Sequence, residues 1–104
     1  MDSKNEVHIE VSRHAERRLR ERLGINRRAA KRLAEKAFYE GVRHKDTCGR
    51  LKKWMSGLYK KNRKANNMRI YGDFLYIFCD HILVTVFIVP NDMRQLIRAS
   101  QNDD

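Results

Sequence analysis

The sequence predicts an α+β fold: an N-terminal strand, two or three helices, then a three-strand antiparallel meander, with the helices packed on one sheet. Three observations carry that expectation. Apolar residues recur at helical spacing between Ala15 and Leu58, β-branched and aromatic residues dominate from Met68 onward, and Pro90 closes the apolar region. A chain of 104 residues has room for one domain with a small core, expected over about 7–90 with a polar C-terminal tail over 91–104.

Val7, Ile9 and Val11 alternate with His8 and Glu10, the period of a half-buried strand over residues 7–11. Ser12 stands where a helix cap belongs. Ala15, Leu19 and Leu23 then recur every four residues up to Gly24, which predicts a helix over 13–23. Asn26 caps a second helix whose apolar stripe is Ala30, Leu33, Ala34, Ala37 and Phe38, with Gly41 in a C′ position. Asp46 or Thr47 caps a third, which has Leu51, Trp54, Met55 and Leu58 on one side and Lys52, Lys53, Lys60 and Lys61 on the other. Met68–Tyr71, Phe74–Cys79 and Ile82–Val89 read as the meander, with Gly72-Asp73 in a type II′ hairpin and Asp80-His81 in a second tight turn. The last two strands are almost continuously apolar, so both their faces are expected to be covered, partly by helices. One helical turn is expected around Met93–Ile97.

Charge is distributed very unevenly. Nineteen of the 23 Lys and Arg residues lie between Ser12 and Lys64 against five acids, so that stretch carries +14 and the remainder −4. No Lys or Arg occurs from Ile70 to Pro90. One part of the chain meets charge and another builds the core, and the partner implied is a polyanion: RNA first, DNA second. The longest apolar run is far shorter than the roughly 20 residues a membrane-spanning helix needs, so a cytoplasmic protein without membrane contact is expected. Cys48 and Cys79 have no ligand-like spacing, and free thiols are expected. Nucleotide-binding glycine motifs, H-E-x-x-H and paired carboxylates do not occur, which argues against nucleotide hydrolysis and a metal-dependent enzyme, and no cofactor is expected.

Among residues able to do chemistry, His14 and Arg17 are three apart in the first turn of helix one and so leave the same face near the helix's positive end, a pairing that favours a bound phosphate. Thr85 is the sole hydrogen-bonding side chain in Ile82–Val89. Its hydroxyl either bonds within the sheet or holds a phosphate oxygen in a cleft between the sheet and helix one. Arg13, Arg18, Lys52, Lys53, Lys60 and Lys61, extended by Arg63 and Lys64, are expected to meet nucleic-acid phosphates. Tyr71 and Tyr76 could stack on a base, although strand tyrosines commonly pack in a core. Trp54 falls on the apolar side of its helix and is expected to pack there.

Taken together, His14-Ala15-x-x-Arg18 with Arg17, Arg22-Leu23-Gly24-Ile25, Arg69-Ile70-Tyr71-Gly72-Asp73 and Leu83-Val84-Thr85-Val86 resemble the barnase, EndoU, colicin and RelE superfamily of ribonucleases, over about residues 7–90. The resemblance is closest to small bacterial and phage-borne, toxin-like members. It implies metal-independent RNA cleavage on a concave sheet face, with His14 as acid or base, Arg17 stabilising negative charge and Thr85 orienting a phosphate oxygen, and with an acidic antitoxin as a possible partner. The chain departs from the RelE-like pattern in having no Arg or Lys on its later strands, which favours free RNA or transfer RNA over ribosome-dependent cleavage. Two other function classes remain open. One is a non-catalytic nucleic-acid binder, in which helix one, Leu23-Gly24-Ile25 and helix two resemble a helix-turn-helix presenting Arg27, Arg28, Lys31 and Arg32. The other is an adaptor or inhibitor that uses basic helices to block a nucleic-acid contact.

Overall fold

The computed structural model describes residues 8–61 and 65–101, and the chain is α+β as expected. After β1 (Glu10–Val11) comes α1 (Arg13–Leu23). Ser12 is its N-cap, accepting from the Ala15 N–H at 3.1 Å, and Gly24 stops it in the left-handed region at φ 65°. Asn26 Oδ1 accepts from the Ala29 N–H at 2.9 Å and starts α2 (Arg27–Glu40). Val7, expected in the first strand, lies outside the described residues.

Gly41 does end α2, but not by adopting a left-handed conformation: its φ is −69°. Glycine is required there because the end of α2 runs onto the sheet. A Cβ at this position would sit 2.5 Å from the Ala37 carbonyl oxygen and 2.8 Å from Arg69 Cβ. Gly41→Ala should therefore lower stability by about 1–3 kcal/mol through overpacking, read as a fall in the thermal midpoint.

The next segment departs from expectation. Val42–Arg43 forms a short strand, β2, which pairs antiparallel with Ile70 and Arg69. His44–Asp46 follow as a 3-10 turn, closed by Thr47 Oγ1 donating to the His44 carbonyl at 2.7 Å. Asp46 and Thr47 are thus committed to that turn and do not cap the third helix. α3 (Gly49–Lys61) starts later, at a glycine with φ 59°.

β3 (Asn67–Tyr71), β4 (Phe74–Cys79) and β5 (Ile82–Ile88) are antiparallel neighbours. Gly72 turns the first hairpin at φ 64°. Asp80 turns the second at φ 57°, held by Asn66, whose Oδ1 accepts the Asp80 N–H at 2.8 Å. These strands belong to a larger sheet than expected: five strands in the order β1-β5-β4-β3-β2, mixed because β1 runs parallel to β5. The C-terminal segment is also more structured. A 3-10 turn (Asn91–Met93) leads into α4 (Arg94–Gln101); the helix buries Ile97 and packs Leu96, and Met93 of the turn packs against the same cluster, so the core extends past residue 90.

Along β4, Tyr76 and Phe78 alternate with Leu75 and Ile77, and the two sets point to opposite faces. Tyr76 and Phe78 pack with Ile9, Ala15, Leu19, Ala30, Ala34 and Ala37 under α1 and α2. Leu75 and Ile77 pack with Leu51, Met55, Met68, Ile70 and Ile97 under α3 and α4. Helices therefore cover both faces of the sheet, which explains why the central strands are apolar throughout. Among the described residues, no helix is long and apolar enough to cross a membrane.

Candidate nucleic-acid interface

The start of α1 is stitched to β5. The Ser12 N–H donates to the Leu83 carbonyl at 2.9 Å, and Ser12 Oγ donates to the Val84 carbonyl at 3.2 Å. β1 pairs only with Ile82 and Leu83, and α1 then takes over beside β5, with Ala15 and Leu19 buried against Leu83 and Val86. Arg18 folds its guanidinium over the Phe87 ring, 5.9 Å from the centroid, which holds this cation near the surface by its stem. His14, one turn earlier on the same side, is exposed, as are Arg13 and Arg17. The first turn also contains Glu16, which pairs with Arg20 at 3.4 Å, so its positive end already has an anion.

Thr85 follows Val84 by one residue, but its hydroxyl does not open into a cleft beside α1. The residue is 6% exposed, and Oγ1 is buried without a hydrogen-bond partner among the described residues. Thr85 lies opposite Ile77 and so faces the α3 and α4 side. The structure thus brings the strand of Thr85 to the amino end of α1, yet His14 and Arg17 face solvent while the threonine hydroxyl is enclosed. Both faces of the sheet are covered by helices, α1 and α2 on one side and α3 and α4 on the other.

Tyr76 is 1% exposed and belongs to the core, so it offers no ring to a base. Burial, and then neighbouring Tyr71, push its hydroxyl well above the usual tyrosine range, and it stays neutral. Tyr71 is half-buried against the same core. A feature missed in the sequence is the direct opposition of Arg43 and Arg69 across β2 and β3. Burial, then the charge of Arg43, lower the Arg69 pKa, and Asp46 works in the opposite direction. Arg69 also stacks on Phe38, 5.6 Å from the ring centroid, and its Nε donates to Asn67 Oδ1 at 3.0 Å. Only the strand register puts these two arginines together.

The cations do not form one stripe. Those of α1 and α2 lie on helices packed over one face of the sheet, and those of α3 over the other. A groove of about 780 Å³ between β1 and α2 sets Arg27, Arg28, Lys31 and Arg32 beside Glu10, Glu16 and Glu35, a mixed lining in which Lys31 Nζ sits 3.4 Å from His8 Nε2. A groove of about 540 Å³ on the outside of α3 is different. It is lined by Gly49, Lys52, Lys53, Ser56, Gly57 and Lys60, with no carboxylate. Lys61 continues this exposed face, Trp54 packs inward against the core as expected, and Arg63 and Lys64 lie outside the described residues. Among the described residues no group of His, Cys, Asp and Glu side chains could hold a metal ion, and both cysteines are free thiols.

No protein-family model matches this chain, and no curated protein or solved structure matches it either. The fold is an α+β arrangement, one mixed five-stranded sheet between two layers of helices that carry cations on their outer sides.

Proposed function

We propose that the chain binds RNA through the lysine face of α3, contacting phosphates rather than bases. The observation that carries this reading is the carboxylate-free groove around Lys52, Lys53 and Lys60. Among the described residues none of these lysines is in an ion pair with a carboxylate, so a polyanion need not displace one. The superfamily resemblance favours RNA as the first partner to test. Phosphate contacts carry no base information, so recognition is indifferent to sequence and sensitive to salt. For single strands the slope of log K against log salt is about −0.7 per phosphate neutralised, so three lysines give about −2, and a fourfold rise in salt should weaken binding about twentyfold. Fluorescence anisotropy of an oligouridylate across a salt series measures this. A salt-independent affinity, or a preference for one sequence that survives excess random RNA, would contradict it.

A second reading, a metal-independent endoribonuclease, is favoured by one specific observation: Ser12 Oγ, donating to the Val84 carbonyl, ties the amino end of the helix bearing His14 and Arg17 to the strand that carries Thr85. In that reaction a base takes the proton of a ribose 2′-hydroxyl, the oxygen attacks the adjacent phosphorus, and the 5′-oxygen leaves with a proton from an acid. His14 is the candidate acid or base and Arg17 the stabiliser of developing charge. Thr85 contributes only if its enclosed hydroxyl becomes reachable. Products with 2′,3′-cyclic phosphate ends, formed in EDTA, would identify this chemistry. Intact RNA after incubation with protein that binds it would leave the non-catalytic reading.

A further inference from the structure

We infer that α3 carries a seat for a backbone phosphate of single-stranded RNA, centred on Gly57 between Lys53 and Lys60. This rests on the RNA-binding reading and specifies where on the helix the strand lies. Residues 53, 56, 57 and 60 are spaced i, i+3, i+4 and i+7, so they share one stripe, on the side of the helix away from buried Leu51 and Met55. The groove they line is bordered by three lysines and no carboxylate, so the charge around it suits a polyanion.

Gly57 is unexplained by the fold. A glycine inside a helix costs about 1 kcal/mol relative to alanine, and such a cost usually has a packing or backbone reason. Gly41 has one, in the 2.5 Å approach to the Ala37 carbonyl oxygen, and Gly49 and Gly72 have positive φ values. Gly57 has neither. An added Cβ would meet nothing within 4 Å, and its φ is not positive. The missing side chain instead leaves a depression in the outer face of α3, flanked by Lys53 one turn before and Lys60 one turn after. Ser56 deepens it: its Oγ donates to the Lys52 carbonyl at 2.9 Å and lies 2.9 Å from His44 Nε2, so its hydroxyl is drawn down onto the helix and away from the stripe. A phosphate resting over Gly57 can approach both ammonium groups at once, whereas a larger side chain there would hold it off.

The test uses the full chain and a labelled oligouridylate. Gly57→Leu replaces glycine with a good helix former in open space, so the thermal midpoint should hold or rise while affinity falls about fivefold, the upper scale of one exposed charge contact. In a second variant, Lys53→Gln with Lys60→Gln should reduce the salt slope by about 1.4, the share of two phosphate contacts. Wild-type protein that fails to bind the oligouridylate overturns the RNA-binding reading, and the seat with it. Wild-type protein that binds, with Gly57→Leu binding equally well or the lysine pair leaving the slope unchanged, overturns the seat alone.

Discussion

Phe78→Ala should lower the stability of the folded chain by about 3–5 kcal/mol, the range for emptying a large aromatic site in a core. Phe78 is fully buried, pairs directly with Leu83, and meets Phe38 of α2 edge-on, with ring centroids 5.2 Å apart and planes at 81°. Its neighbours collapse poorly into the space left behind. Ala15, Ala30, Ala34 and Ala37 are already the small residues that let α1 and α2 lie close to the sheet, and none can extend to fill a phenyl-sized void. Because folded domains are stable by about 5–15 kcal/mol in total, the loss is a large share of what holds the chain together. Urea unfolding followed by circular dichroism should show a midpoint lower by on the order of 2 M. A midpoint equal to that of wild type would mean that the α1 and α2 face is not packed on Phe78 as described.

What the sequence made legible was local. α1 and α2 were readable because Ser12, Gly24 and Asn26 act through bonds to residues no more than four positions away. The meander was readable because Gly72 and Asp80 each turn between adjacent apolar runs. Features set by distant pairing were not. β2 is two residues long and exists only because β3 lies beside it. The parallel pairing of β1 with β5 joins residues more than seventy positions apart. The division of the cations had the same cause: neighbouring helices in sequence give no sign of which side of a sheet each will cover.

Thr85 illustrates the limit most sharply. On strict alternation Leu83 and Thr85 would share a face, but the register shifts at Ile77/Phe78, so that Phe78 opposes Leu83 while Ile77 opposes Thr85. Val84 is the extra residue, and side chains beyond it change sides relative to the simple pattern. Leu83 and Val86 therefore share the α1 and α2 core, and Thr85 faces α3 and α4. Nothing in a run of apolar residues announces such a bulge. The same shift turns a threonine that alternation would direct toward α1 into one whose hydroxyl is enclosed on the far side of the sheet.

Thr85→Val should stabilise the chain by about 1–3 kcal/mol, because valine has nearly the same shape and removes a buried hydroxyl that has no partner among the described residues. Thermal and urea unfolding should both shift upward, and a destabilised variant would show that the hydroxyl does have a partner in the folded chain. The same protein separates the two functional readings. If the chain only binds RNA through α3, Thr85→Val keeps its affinity and its salt slope, since the change lies within the core. If the chain cleaves RNA, His14→Ala should slow cleavage by about 10² to 10⁴, the usual contribution of a general acid or base. A Thr85→Val protein that is more stable than wild type yet equally slow would then place the threonine in the reaction, because a gain in stability removes misfolding as the cause. Cleavage that survives both substitutions would exclude the amino end of α1 as its site.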